Sequence, residues 1–305
     1  MLLSSQLKLR HLEVFVEVAR RKSVTQAAER LGMTQPAVTR ALRELEAICN
    51  KPLVEKDGRG IRLSAYGEMF RDYAGRSLAL TRDGVKMLRA LDEAEGPKVA
   101  IGALPTVSAT VVPKALAAIW EQGGRNRFSV LTGDNQHLLD LLRRGQLDVV
   151  VGRLPAPENM VGLDFDPLFY ETVTVVVAPD HPLTTVSKAQ LPQALFGEFP
   201  VLIPAEASII RPAVERLFLE HGIQMPMTAI ETVSSTFGRR FKLDHQAVWV
   251  ISHGVVAQDL ADGHLVRLPL DTGGTRGPVG LCLRTEHQLS PAAARFCATL
   301  KDQCG

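Results

Sequence analysis

The chain is 305 residues long and 46% apolar, with 35 Lys and Arg against 33 Asp and Glu, a formal net charge of +2. That is enough apolar material for more than one core, so at least two domains are expected. A net charge this small neither favours nor excludes nucleic acid, because partner preference depends on where the charge sits. Other features exclude more. Lys8, Arg10, His11 and Glu13 break up the N-terminal segment before an apolar core of signal-peptide length can form. No stretch approaches the ~18 uninterrupted apolar residues of a membrane span. Cys49, Cys282, Cys297 and Cys304 match no zinc or redox spacing. The expectation is a cytoplasmic protein with reduced thiols and with no metal, cofactor or membrane partner.

Charge is unevenly placed: residues 1–66 hold a net +5, which leaves −3 on the remainder. A basic head on a mildly acidic body is expected when one domain meets phosphate and the rest does not. Leu12, Phe15, Val16 and Ala19 form one stripe of a first helix. Ser23 can cap a second helix whose Val24, Ala27, Ala28 and Leu31 face inward, and Gly32 ends it. Thr34 can cap a third, with Pro36 in its first turn and Val38, Ala41, Leu42, Leu45 and Ile48 as its buried stripe. Pro36, Arg40, Arg43 and Ala47 then point outward, with Gln35 and Thr39 beside them. Two short helices joined through a Gly-containing turn, the second with a basic outer face, match a helix-turn-helix. Two exposed arginines are by themselves common, and Arg43 could pair with Glu44 or Glu46. The segment EKDGRGIRLS, residues 55–64, adds a second basic feature, a wing with Lys56, Arg59 and Arg62 around Gly58 and Gly60.

From Ser64 to about Glu95 the pattern is one long helix. Phe70, Tyr73, Ser77, Leu80, Gly84, Met87 and Leu91 make one stripe, with Ala74, Leu78, Thr81, Val85 and Leu88 beside it. Steps of three and four sustained this long predict a dimer seam. Gly96-Pro97 breaks the helix. Beyond Lys98, KVAIGAL, FSVLT, LDVVVG, VTVVVAP, PVLIP, TAIETV, AVWVIS and GPVGLCL read as strands. Helical stretches near residues 110–121, 135–144, 211–221, 234–243 and 290–303 alternate with them. The alternation predicts mainly parallel sheets, with ligands bound at strand carboxyl ends against helix N-termini.

The pattern FxxVAxxxSxTxAAxxLxxTQPAxTRxxxxLE from Phe15 to Glu46, with the wing, the long helix and the α/β region, resembles the LysR-type transcriptional regulators over the whole chain. Leu53-Val54-Glu55-Lys56 stands where that family usually has Leu-Phe-Glu-Arg, which keeps one apolar and one basic group. The resemblance implies an α+β architecture in three parts. Residues 1–63 would be a winged helix-turn-helix and 64–96 a linker helix that pairs subunits. Residues 97–305 would be a periplasmic-binding-protein-like α/β domain, with subdomain I at about 97–170 and 269–305 and subdomain II at about 171–268. It also implies promoter DNA, a small-molecule inducer, self-association to dimer and tetramer, and RNA polymerase as partners, and no enzyme activity. RHLEVFVEVAR, TQPAVTRALRELE, IETVSSTFGRR, VWVISHGVV and LPLDTGGTRGPVGL are similar to the branch that regulates protocatechuate catabolism, whose inducer is a carboxymuconate. A sugar-responsive branch shares much of the C-terminal wording.

For DNA, Gln35 can present its amide to adenine, Arg40 or Arg43 can reach guanine or phosphate, and Thr39 a thymine methyl or phosphate. Ser23, Thr25, Thr34, Pro36, Lys56 and Arg59 complete the candidate DNA surface. For the inducer, Thr106, Ser108, Asn135, Ser208, Ile210, Thr232 and Ser234 sit at strand-to-helix turns, and by family position Thr106, Asn135, Ser208 and Ile210 line the cleft. Each hydroxyl can equally serve as a helix cap. A polycarboxylate would be neutralised by free amides plus Arg211 or Arg239, whereas a sugar would need acceptors such as Asp134. An enzyme fused to a DNA-binding module is the first rival, but no GxSxG, HExxH, Walker loop or Rossmann glycine triplet is present. A solute receptor is the second, disfavoured by the basic helix-turn-helix.

Overall fold

The computed structural model describes residues 6–58, 60–92, 98–124, 126–195, 199–224, 229–285 and 288–304, without the side chains of 83, 86–87, 89–92 and 242–244. The chain divides into two compact units, one built on residues up to Asp92 and the other on most of the remainder.

In the first unit, α1 (Leu9–Arg21), α2 (Val24–Leu31) and α3 (Gln35–Cys49) precede a hairpin of β1 (Val54–Asp57) and β2 (Gly60–Leu63), and α4 (Ala65–Asp92) follows. Ser23 caps α2 by accepting from the Gln26 amide at 3.4 Å, and Gly32 ends it at φ +62°. Thr34 occupies the N-cap of α3, but its hydroxyl makes no capping bond. The expected Thr34 cap is thus corrected: extended backbone at Thr34 and Pro36 in the first turn start this helix. The inward face of α1 is also rotated from the expected stripe. His11, Leu12, Val14, Phe15 and Val18 are buried, while Val16 and Ala19 are only half-buried. The cause is His11, whose polar partner on α3 lets an imidazole take a core position. In α3, Val38, Ala41, Leu42 and Leu45 are buried as expected. Ile48 is only half-buried, because the chain turns out of the helix at Asn50, φ +50°.

Ser64 starts α4, accepting from the Gly67 amide at 3.0 Å and donating to the Pro52 carbonyl at 2.6 Å. Gly67 has to be glycine, since a Cβ there would run into the Leu53 carbonyl. The two stripes of α4 separate. Ala74 and Leu78 join the first unit's core, with Phe70 packed on Phe15 at 5.5 Å between ring centroids. Met69, Tyr73, Leu80 and Leu88 stay exposed. The Met87 and Leu91 side chains and Gly96-Pro97 lie outside the described residues.

The second unit holds two five-stranded sheets. One has the order β4 (Phe128–Thr132), β3 (Val99–Ala103), β5 (Val149–Arg153), β12 (Gly277–Arg284), β6 (Leu163–Glu171). The other runs β11 (Val266–Arg267), β7 (Val173–Val177), β10 (Val248–Ser252), β8 (Val201–Ile203), β9 (Ile230–Glu231). The expectation of mainly parallel sheets needs correction. β4, β3 and β5 pair in parallel, but β12 runs antiparallel to both β5 and β6. Likewise β8 is parallel to β9 and β10, while β7 is antiparallel to β10 and β11. The chain leaves the first sheet after β6, builds the second, and returns as β12. The helices are α5 (Pro105–Ser108), α6 (Val111–Glu121), α7 (Asn135–Arg143), α8 (Leu191–Ala194), α9 (Arg211–Glu220), α10 (Ser235–His245), α11 (His253–Ala261) and α12 (Pro291–Asp302). Each sheet has its own core, around Val149, Val150, Val151 and Phe296 in one and Trp249, Val250 and Phe218 in the other. No helix among the described residues is long and apolar enough to cross a membrane.

His181 is fully buried beside the second sheet, accepting from the Leu183 amide at 3.1 Å on Nδ1 and donating from Nε2 to the Gln246 carbonyl at 2.9 Å. Burial pushes its pKa down, against the Gln246 carbonyl and Asp180. The unfolded chain takes up this proton near the ordinary value of about 6.5, so it binds more protons than the native state just below that pH. Stability contributed by neutral His181 is therefore present above about pH 6.5 and lost as pH falls toward the native value. Thermal midpoints measured between about pH 7.5 and 5.5 should fall more steeply in the wild type than in His181→Gln. Equal slopes would refute this.

Candidate DNA-binding face and effector cleft

Gln35, Pro36, Arg40 and Arg43 of α3 are exposed and, with Thr39 and Glu44, line one shallow surface depression. Thr39 turns its hydroxyl back to the Gln35 carbonyl at 3.0 Å. The pairing with Glu44 considered for Arg43 is made by Arg40 instead. Arg40 Nε donates to Glu44 Oε1 at 2.8 Å, one turn along the helix, while Arg43 forms no ion pair among the described residues. Glu46, the other carboxylate considered for Arg43, instead accepts from the Leu53 and Val54 amides at 2.8 and 3.2 Å. The second oxygen of Glu44 lies 3.2 Å from Nε2 of buried His11, whose Nδ1 accepts from the Lys8 amide at 3.3 Å. Hydrogen bonds from Arg40 and then His11 hold the Glu44 carboxyl below the ordinary carboxylate range.

Thr25 and Thr34 are exposed and Ser23 is half-buried. In the wing Lys56 is exposed, but Arg62 pairs across the strands with Glu55 at 2.7 Å. Arg59 lies outside the described residues.

In the second unit a cavity of about 100 Å³ opens at the carboxyl ends of β3, β5, β6 and β10. Thr106, Asn135, Ser208 and Ile210 line it, as does Asp134. Ser108, Arg211, Thr232 and Ser234 do not. Ser108 donates to the Pro105 carbonyl at 2.9 Å, Thr232 accepts from the Ser234 amide at 3.0 Å, and Ser234 caps α10 through the Phe237 amide at 3.2 Å. Of these three only Ser234 is a helix cap, while Ser108 and Thr232 bond to nearby backbone without capping a helix. Arg211 is tied to Glu215 at 2.8 Å and Glu231 at 2.7 Å, and Arg239 to Asp259 at 2.9 Å and the Val255 carbonyl at 2.7 Å. Neither expected cation faces the cavity.

Three polar lining residues escaped the sequence reading: Arg153, Glu171 and Ser252. Arg153 closes β5 and is 7% exposed, with Nη2 donating to the Glu171 carbonyl at 2.6 Å and the Thr275 carbonyl at 2.8 Å. Glu171 closes β6, also 7% exposed, and its Oε1 accepts from the Gly254 amide of α11 at 2.7 Å and from the Thr106 hydroxyl. Arg153 Nε and Glu171 Oε2 are buried with no hydrogen-bond partner among the described residues. Burial lowers the Arg153 pKa, and Glu171 opposes that shift. The available signal was a charge closing an apolar strand run, as in LDVVVGR.

A winged helix-turn-helix joined by a long helix to a two-sheet α/β domain with a cleft at its strand ends defines a ligand-responsive DNA-binding regulator. Residues 9–68 match the family model for the bacterial regulatory helix-turn-helix protein of the lysR family, and residues 92–305 that for the LysR substrate binding domain. The chain belongs to the LysR family of DNA-binding transcriptional regulators. It is 43% identical over 304 residues to the HTH-type transcriptional regulator PcaQ of Agrobacterium fabrum, covering 100% of this chain and 97% of that one. Its fold is similar to that of a full-length OxyR variant from Pseudomonas aeruginosa, with a TM-score of 0.62 and 22% identity, over 97% of this chain and 95% of that one. It is also similar to full-length CbnR complexed with target DNA, with a TM-score of 0.58 and 21% identity, over 97% and 100% of the two chains.

Gly254 tests the cleft geometry. Alanine in an unconstrained helix stabilises by ~1 kcal/mol relative to glycine. Here a Cβ would stand 2.7 Å from Glu171 Oε1 and clash with the Thr106 hydroxyl. Gly254→Ala should therefore destabilise by about 1–3 kcal/mol, read as a lowered thermal midpoint. A raised midpoint would contradict the Thr106–Glu171–Gly254 arrangement.

Proposed function

We propose that this regulator reads promoter sequence mainly through Arg40 and grips the DNA backbone with Arg43, Lys56, Arg59, Ser23, Thr25 and Thr34, while Gln35, Pro36 and Thr39 shape the contact face. The Arg40–Glu44–His11 chain carries this reading. A guanidinium bound through Nε to an anchored carboxylate keeps its two terminal nitrogens free as the fork that guanine O6 and N7 accept. Arg43, with no such orienting partner, suits a phosphate.

The exposed stripe of Met69, Tyr73, Leu80 and Leu88 on α4 supports pairing with a second copy, and so a dimer that can associate further to a tetramer. Two recognition helices would then address half-sites about one helical turn apart, on the order of 34 Å. The three-part division at residues 63 and 96, contact with RNA polymerase and a cytoplasmic location belong to the same reading. Thr106, Asn135, Ser208 and Ile210 hold the effector in the cleft. The likeness to PcaQ supports a carboxylated metabolite of protocatechuate breakdown as effector and genes of that pathway as targets. Effector binding shifts the population of cleft arrangements and with it the bend of the DNA between half-sites.

Operator titrations at fixed salt separate the arginines. Arg40→Ala should cost about 1–3 kcal/mol and flatten base preference at one position. Arg43→Ala should weaken all sequences alike and reduce the salt slope by about one. Glu44→Gln removes a negative charge from the DNA face, so non-specific affinity should rise while discrimination falls. Arg40→Ala with discrimination intact would overturn the assignment.

A further inference from the structure

We propose that His11 is a positioning residue for base recognition: a single ring tautomer, fixed by the Lys8 backbone, presents one proton to Glu44 and so sets where the Arg40 fork stands. This rests on Arg40 being the base-reading group, and it assigns sequence specificity to a residue that does not itself touch DNA.

His11 is 4% exposed and stands at the third position of α1. A helix often carries Glu or Gln there, whose side chain reaches back to the amide of the residue before the helix. His11 does the same through Nδ1, which accepts from the Lys8 amide at 3.3 Å, while its own amide donates to the Lys8 carbonyl at 2.9 Å. A ring nitrogen that accepts a hydrogen bond carries no proton, so the proton of this imidazole sits on Nε2. Nε2 lies 3.2 Å from Glu44 Oε2 and donates to it. A glutamate in this place would make the same bond to Lys8 but set a second carboxylate against Glu44, where like charges repel. The histidine satisfies the helix start and has a donor left for α3.

That donor acts where orientation is otherwise missing. The Arg40 side chain is 83% exposed and that of Glu44 44%, and an exposed pair of this kind does not hold one geometry by itself. Of the three side chains in the chain of contacts, His11 alone is held in the interior. It ties down the second Glu44 oxygen, and the first then fixes Arg40 Nε at 2.8 Å. Recognition by a two-pronged fork needs placement to within about 0.5 Å. A grip on phosphates carries no sequence information and makes no such demand. Removing the His11 donor should therefore cost discrimination between bases and leave general DNA affinity alone.

Full-length protein is titrated at fixed salt with a duplex that the wild type selects from a random-sequence library, with its single-base variants, and with an unrelated duplex of equal length. His11→Asn keeps an acceptor for the Lys8 amide but is too short to reach Glu44. His11→Gln carries an acceptor and a donor on neighbouring atoms, as the neutral ring does. His11→Asn, or His11→Phe if the former does not fold, should reduce discrimination about two- to tenfold at the base pair that Arg40→Ala flattens, with affinity for the unrelated duplex unchanged. His11→Gln should keep wild-type discrimination, and the His11→Asn change should add nothing in an Arg40→Ala background. In the wild type, ring-nitrogen resonances at about pH 8, where free imidazole is neutral, should show His11 with Nδ1 bare and Nε2 protonated. A protonated Nδ1 overturns the role of His11 whatever the variants do. So does an equal loss on every duplex, a loss in His11→Gln as large as in His11→Asn, or a His11→Asn effect that persists without Arg40. Wild-type discrimination in His11→Asn beside a flattened Arg40→Ala overturns the role of His11 and leaves that of Arg40 standing. Discrimination intact in Arg40→Ala overturns the base-reading role of Arg40, and that of His11 with it.

Discussion

One guanidinium, that of Arg153, braces both places where the chain passes between the two sheets of the second unit. The outward passage follows Glu171 and the return follows Thr275, and Nη2 donates to the carbonyls of both. The two passages are also bound to each other, because Thr275 Oγ1 accepts from the Val173 amide at 2.9 Å and donates to the Thr272 carbonyl at 2.6 Å. Without Arg153 two buried carbonyls would lose a charged donor, a cost on the order of 1–3 kcal/mol for each group left unsatisfied. Gly277 follows from the same constraint: a Cβ there would stand 3.1 Å from Arg153 Nε. A strand end that carries a charge, and a glycine that makes room for it, are thus one feature of the sequence.

The DNA-reading face is built on a related arrangement with the roles of burial reversed. Glu44 and Arg40 are exposed, and an exposed ion pair one helical turn apart adds little to stability. Its value lies in orientation. Glu44 is held from behind by His11, and His11 by the Lys8 backbone, so the position of an exposed arginine is fixed by a chain of contacts that ends in the core. At both sites a carboxylate spends one oxygen on an internal partner. The second Glu171 oxygen stays buried without a partner among the described residues, and on α3 the free atoms belong to the arginine that Glu44 orients.

Local periodicity made the first unit largely legible. Val38, Ala41, Leu42 and Leu45 declare the inner face of α3, and Gly58 at φ +56° turns the wing hairpin. The rotation of α1 escaped because a histidine scores as polar wherever it stands, and only the α3 neighbour makes His11 a core residue. In the second unit, strand identity was legible but strand direction was not. VTVVVAP and LDVVVG are equally buried on both faces, yet β7 runs antiparallel to β10 and β5 parallel to β3. β6 went unread because Asp164, Asp166 and Pro167 interrupt its apolar alternation. Ser108, Thr232 and Ser234 were misplaced because a hydroxyl at a strand-to-helix turn has a local backbone partner within reach, and local partners cost less entropy to find than a ligand. Arg153 and Glu171 lie 18 residues apart, and no spacing rule joins them; two antiparallel partners of β12 bring their strand ends together.

That juxtaposition bears on how a ligand could act at a distance. A ligand shifts a conformational equilibrium only by its differential affinity for the two states. Groups that merely line a rigid wall offer the same contact in both. Arg153 and Glu171 do more than line it, because each also belongs to a connection between sheets: Glu171 through its carbonyl to Arg153, and its carboxylate to the start of α11. Any change in how the two sheets stand relative to each other must alter the separation between these bonded groups.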